Sequence, residues 1–344
     1  MHRLALGVFL SLNVAIAASA QSLPAQRGTA AAAKENPPRP LRPVHTFSIV
    51  ARDHVTGDMG VAVQSHWFAV GSDVIWGEAG VGVVATQSFI DPSYGPLGLD
   101  LMRAGKSAPE ALRGLLAADE YPDARQVAML DAQGRVAAHT GKSCIAAAGN
   151  QVGKDYSAQA NLMGKPTVWP AMGRAFESAQ GDLIDRLMAA LEAGQREGGD
   201  IRGKQSAAIL VVRAKSTDRP WADKIVDLRV DDSEDPINEL KRLVRYHRAY
   251  EHMENGDACS TKKDWDCAVR EYGEAEKILP EQMEVVFWHA VTLVTSGRVD
   301  ESLPLFKRVF AREPVWAELL ARLPAAGLFP DDPKLVARIQ AVRP

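Results

Sequence analysis

The chain has 344 residues, 46% of them hydrophobic, and a formal net charge of −3. That length accommodates two domains with ordinary soluble cores. Bases scattered among acids on a nearly neutral chain give no field that gathers nucleic acid or an anionic membrane, so no nucleic-acid partner is expected.

The N-terminus reads as a targeting segment. His2 and Arg3 form a weakly positive start, and Leu4 to Ala17 is an apolar stretch too short to span a bilayer. Ala18-Ser19-Ala20 then presents small residues before Gln21. The expectation is a signal peptide over residues 1–20 and export to the periplasm, with an uncleaved anchor as the alternative. Residues 21–44 are rich in Ala and Pro, with Pro37, Pro38, Pro40 and Pro43, and read as an extended leader. Order is expected from near Thr46.

Thr46–Arg52 is β-rich, Asp53–Gly60 reads as a turn and Val61–Ser65 as a second strand, which together predict a hairpin. Gly80–Ser88 is a third strand, and Leu97–Ala104 a short helix. Ser107-Ala-Pro-Glu110 is a capping box that opens another helix. Gln126–Leu130 and Arg135–Thr140 flank a turn and predict a second hairpin. Tyr156–Leu162 is a further strand, and Asp182 caps a helix with Leu183, Ile184, Leu187, Met188 and Leu191 on one face. Ala207–Arg213 and Ile225–Val230 close the domain; the run Ala-Ile-Leu-Val-Val predicts a strand covered on both faces. Hairpins with inserted helices do not suit a parallel, doubly wound sheet. The pattern predicts an α+β domain in which two antiparallel sheets face each other under outer helices, a four-layer αββα sandwich over residues 45–234.

Residues 235–344 carry a repeat. Gly256, Ala268, Tyr272, Ala275 and Pro280 recur after a 34-residue shift as Ala290, Ser302, Phe306, Val309 and Pro314. That period means paired antiparallel helices of tetratricopeptide type, with small residues at the crossings. Such modules bind extended peptides or partner helices, so a peptide or protein partner through residues 249–314 is expected, with Trp265, Trp288 and Trp316 as groove or core residues. A homo-oligomer is also compatible with this layout.

Of three cysteines, Cys259 and Cys267 lie eight apart across a helical hairpin, where they either pair or remain two buried thiols; Cys144 is left over. No cysteine–histidine set has zinc spacing and no phosphate loop or nucleophile elbow occurs, so neither metal nor cofactor is expected. His54, in a turn, and His139, on a strand, read as structural. Two features remain. A threonine at a freed N-terminus is its own nucleophile–base pair, because its α-amine takes a proton near neutral pH; Thr46 opens a strand behind a removable leader, or is a plain strand-edge residue. Polar groups also gather at strand ends: Gln64, Ser65 and His66; Glu78; Gln87 and Ser88; Asp91 and Tyr94; Asn161; and Arg202, Gln205 and Ser206. If the strands are buried, these converge on one sheet edge and need partners.

Several blocks resemble the bacterial domain-of-unknown-function family 1028: Thr46–Asp53, Gly60–Ser65, Ala79–Gln87, Pro92–Pro96, Asp131–Gly141, Gly199–Ala208 and Val226–Asp232. The resemblance implies a fold like the N-terminal-nucleophile (Ntn) hydrolases, in which the residue opening the first strand is freed by cleavage and attacks an amide carbonyl. It places Thr46 as nucleophile and Asn161 as oxyanion donor, with Ser65 or Gln64 shaping that site and His66 or Glu78 as the only other bases. His66, Gln87, Tyr94 and Arg202 are the candidate substrate contacts. Two departures stand out: no lysine occurs between Thr46 and Gly105, and His45 precedes Thr46 where self-cleaving precursors commonly have Gly. Trimming of an exposed leader by another protease is the alternative to self-processing. The function expected is an exported Ntn-type amidohydrolase; the alternative is a non-catalytic exported binding or assembly protein acting through its helical module.

Overall fold

The computed structural model describes residues 44–344. The expected signal peptide and all of the leader but Val44 lie outside them. In chain order the elements are β1 (Thr46–Arg52), β2 (Met59–Ser65), the one-turn α1 (Val70–Asp73), β3 (Ile75–Glu78), β4 (Gly82–Ser88), α2 (Tyr94–Arg103) and α3 (Ala108–Ala118). There follow β5 (Arg125–Asp131), β6 (Val136–Thr140), β7 (Gly149–Gly153), β8 (Tyr156–Ala160), α4 (Val168–Ser178), α5 (Leu183–Glu197), β9 (Ser206–Val212) and β10 (Lys224–Val230). The C-terminal helices are α6 (Pro236–Thr261), α7 (Trp265–Ile278), α8 (Met283–Thr295), α9 (Val299–Arg312), α10 (Val315–Leu320) and α11 (Pro333–Gln340). The result is a mixed α+β molecule.

The strands form two antiparallel sheets, one ordered β10-β9-β2-β1-β8-β7 and the other β3-β4-β5-β6. Alternation along each strand assigns its two faces. On β1, Phe47, Ile49 and Ala51 pack under Leu187, Leu191 and Met172 of α4 and α5, whereas Val50 joins Val61, Val63, Val83, Ala85 and Leu130 between the sheets. The outer face of the smaller sheet carries Val84, Val127 and Met129 against Leu99, Met102 and Leu112 of α2 and α3. Helices therefore cover both outer faces. The apolar strand β9 is covered on both sides, as its composition predicts: Ala207, Ile209 and Val211 face α5 and α6, and Ala208, Leu210 and Val212 face the other sheet.

Local chemistry explains the turns and caps. Asp53 Oδ1 accepts from the amides of Val55 and Thr56 at 2.7 and 2.9 Å and folds the first hairpin's turn. Ser107 and Glu110 make both bonds of the capping box on α3. At Gly60 a Cβ would lie 2.6 Å from Leu187 Cδ1 and 3.0 Å from Val211 Cγ2, so a larger residue would have to displace the Leu187 side chain of α5.

The C-terminal helices pack as antiparallel neighbours. The repeat positions Ala268, Ala275, Ala290, Ser302, Phe306 and Val309 are all completely buried. A Cβ at Gly256 would meet Tyr272 Cδ2 at 2.6 Å, which is why a small residue stands there. Trp288 and Trp316 pack against Phe287 in this core, with ring centroids 5.3 and 4.8 Å away. Cys259 and Cys267 form a disulfide between α6 and α7, which decides between the two sequence readings. Helix α6 bridges the two halves: Ile237, Leu240 and Val244 belong to the core above the larger sheet, and Ala249 and Met253 to the core shared with α7.

Candidate functional site

At one end of the sandwich the space between the sheets turns from apolar to polar. Alternation puts Thr46 and Ser48 of β1, Ser65 of β2, Gln87 of β4, Gln126 of β5, Gln159 of β8 and Asn161 there, all of them fully buried. Buried amides must be hydrogen-bonded, and these form one connected set. Gln159 Nε2 donates to Ser48 Oγ at 2.6 Å, Ser48 Oγ to Gln87 Oε1 at 2.7 Å, and Gln87 Nε2 to Gln126 Oε1 at 2.6 Å. Asn161 Nδ2 donates to Gln126 Oε1 at 2.8 Å.

Thr46 lies on the rim of this layer. Its Oγ1 stands 3.0 Å from the Val44 carbonyl oxygen and 3.3 Å from Ser65 Oγ, the two acceptors open to its single proton. The carbonyl oxygen of His45, one bond before Thr46, accepts from Ser65 Oγ and, at 3.0 Å, from Arg202 Nη2. Arg202 is itself held by the buried carboxylate of Asp200, at 3.1 Å from Nε and 2.7 Å from Nη2. Asp200 also accepts from the backbone N–H of His66 at 3.1 Å and of Arg202 at 2.9 Å. Two side-chain donors on one buried carbonyl polarise it toward nucleophilic attack.

The segment preceding Thr46 is part of the fold. Val44 and Ser88 exchange two backbone hydrogen bonds, of 2.7 and 2.9 Å. Val44, His45 and Thr46 are 1%, 5% and 0% exposed. The His45 ring places Nδ1 3.1 Å from Asn161 Oδ1. Burial lowers its pKa below the ordinary 6.5, so the imidazole is neutral at pH 7.

The residues expected at the site divide. Thr46, Ser65, Gln87, Asn161 and Arg202 come together, and His66 lies alongside, its ring against Gly203 and its amide on Asp200. Gln64 does not join them. It alternates with Ser65 and so faces the helical side of the sheet with Ala62, where its buried amide has no partner among the described residues. Glu78 is ion-paired with Arg103 beside Gly82, five residues and about 17 Å along β4 from Gln87. Tyr94 lies on the outer face of the smaller sheet, where its hydroxyl donates to Asp119 Oδ2 at 2.9 Å. Asn161 Nδ2 donates to Gln126 Oε1 at 2.8 Å and lies 3.5 Å from the Thr46 carbonyl oxygen, and its Oδ1 faces the His45 ring before Thr46. Sequence reading missed Ser48, Gln126, Gln159 and Asp200. The alternation of β5 marks Gln126, because it shares a face with Ala128 and Leu130.

Among the described residues no group of three or more His, Cys, Asp or Glu side chains is arranged to hold a metal ion, and no helix is long and apolar enough to cross a membrane. Burial pushes the Cys144 thiol up, away from nucleophilic use.

No curated protein matches the chain. The crystal structure of a Silicibacter pomeroyi protein described as DUF1028 superposes with a TM-score of 0.53 at 32% identity, over 58% of this chain and 85% of that one. A family model described as a family of unknown function, DUF1028, matches residues 46–240. That stretch holds both sheets and every residue of the polar layer, and on this match the chain belongs to the DUF1028 family.

Proposed function

We propose that this protein is an exported hydrolase of N-terminal-nucleophile type, which frees Thr46 by cleaving its own His45–Thr46 bond and then hydrolyses amide or peptide bonds. The observation that carries this is the buried His45 carbonyl, held by Ser65 Oγ and Arg202 Nη2 directly before the Thr46 hydroxyl. Two sheets under outer helices agree with the αββα sandwich of that class, and the 34-residue helical pairs with a tetratricopeptide module. The disulfide supports export to an oxidising compartment.

In self-cleavage the Thr46 oxygen attacks the His45 carbonyl carbon, the C–N bond breaks and the nitrogen takes the hydroxyl proton. Water then hydrolyses the resulting ester, leaving a His45 carboxylate and a free Thr46. In turnover that α-amine takes the hydroxyl proton as Thr46 attacks a substrate amide, passes it to the leaving amine, and activates the water that hydrolyses the acyl-enzyme. Ser65 and Arg202 stabilise the oxyanion in both reactions. Trimming by another protease is disfavoured, because proteases need exposed, mobile backbone and both residues of this bond are buried.

A second reading is an uncleaved binding protein working through its helical module. The Val44–Ser88 pairing favours it, by tying the leader's end into the fold. So does a groove on the helical module whose lining mixes Arg270, Lys277 and Arg298 with Glu274, Glu276 and Glu301. Intact mass and N-terminal sequence of the exported protein separate the two. A chain beginning at Thr46, and an uncleaved Thr46→Ala variant, are the result expected of the hydrolase. A wild-type chain that keeps residues 44 and 45 overturns it.

A further inference from the structure

One nucleophile serves both self-cleavage and turnover, so the substrate carbonyl must reach Thr46 Oγ1 as the His45 carbonyl does, and take the same two donors. The side chain borne by the substrate's acyl part then goes where the His45 side chain goes. That place has a defined chemistry. The Gln126 amide is oriented by backbone carbonyls, which only accept: its Nε2 lies 3.2 Å from Gly149 O and 2.9 Å from Ala160 O. Gln126 Oε1 is therefore an acceptor, Asn161 must turn its NH₂ to it, and Asn161 Oδ1 is left facing the His45 ring at 3.1 Å. The nearby Asp200 carboxylate is fully occupied by Arg202 and two backbone amides, so it demands no cationic guest.

We propose that the space filled by the His45 imidazole is the specificity pocket of the mature enzyme, and that it takes an acyl-side residue with a neutral hydrogen-bond donor, an imidazole or carboxamide, received by Asn161 Oδ1. This rests on the reading of Thr46 as nucleophile. An apolar guest leaves Asn161 Oδ1 buried and unpaired, a discrimination of about tenfold to a hundredfold. The competing expectation comes from the exposed Ile145 and Ile201, whose backbones bracket Leu162 beside Asn161 and which would favour an apolar guest.

The test uses the full chain after leader loss, with N-acetyl-His, N-acetyl-Gln and N-acetyl-Leu coumarinamides as probes. The His and Gln amides are expected to exceed the Leu amide in kcat/KM by about tenfold or more. Asn161→Leu should reverse that order. In the precursor, His45→Gln should cleave within about threefold of the parent and His45→Leu about tenfold more slowly. His45 is absent from the mature chain, so this comparison alters no residue of the finished enzyme and decides the matter even if Asn161→Leu does not fold. Normal leader loss with Leu hydrolysed as well as His and Gln, or His45→Leu cleaving as fast as His45→Gln, overturns the pocket and leaves the nucleophile standing. Leader loss in Thr46→Ala, or neither leader loss nor hydrolysis of any probe in the wild type, overturns the nucleophile and the pocket with it.

Discussion

Parity along a strand decides what each polar residue can do. Gln64 and Ser65 are neighbours in sequence, yet only Ser65 shares a face with Val61 and Val63 and so meets Thr46. That assignment is legible in the alternation of β2 once the partner sheet is known. What the sequence hides is the amide network, because its contacts join residues from six separate strands, β1 and β4 to β8. Gln126 is its centre, contacting Gln87, Thr140, Asn161 and two backbone carbonyls. Gln126→Ala is expected to cost about 2–4 kcal/mol, since several buried groups lose their partner at once. The comparison is a denaturant melt in a Thr46→Ala background, which keeps the chain in one covalent state. A loss under about 1 kcal/mol would mean that the layer rearranges without it, and that Asn161 is not held by Gln126.

At the level of elements, the long strands and capped helices were readable, and the missed ones have two causes. β7 begins and ends in glycine, α4 carries Pro170 in its first turn and Gly173 within it, and β3 is only four residues long. β7 and α4 are held by tertiary packing against local preference, as where the Gly149 Cα lies against the Trp169 ring, and β3 is too short to show a period. In the helical module one carboxylate joins three helices: Glu276 of α7 pairs with His289 of α8 at 2.5 Å and with Arg308 of α9. Burial alone would raise its pKa, but the hydrogen bonds from His289 and Arg308 outweigh it and hold it below the ordinary 4.5. A depressed carboxylate stabilises above its unfolded value, and the contribution is lost as pH falls through the folded one. Glu276→Gln should therefore lower stability by about 1–2 kcal/mol at pH 7, a figure that allows for solvent screening of a half-buried pair. Thermal melts of the two proteins should converge as pH drops below 4.5. A gap that stays constant with pH would show that packing, not charge, sets the difference.

On the scale of the molecule, the seam between the two halves does not fall where the sequence pattern changes. The helical pattern begins at Asp235, but Ile237, Leu240 and Val244 of α6 lie in one core with Leu187, Leu191, Val226 and Val230. The family match accordingly runs on to residue 240, into α6. Removing three such side chains from an apolar core forfeits about 5–9 kcal/mol, as much as many whole domains have in hand. A chain ending at residue 234 should then be insoluble or molten. One ending at residue 262 keeps all of α6 and its seat on the larger sheet, and gives up its contacts with α7 and α8, the disulfide among them, so it should still melt cooperatively. Far-ultraviolet circular dichroism melts of the two truncations read the difference directly. Equal stability would mean that α6 is a passive link and that the repeat unit, not the sandwich, owns it. If the longer truncation folds and still loses its leader, cleavage belongs to the sandwich alone and α7 onward serves another purpose; if it folds with the leader intact, the helical module reaches the site through α6.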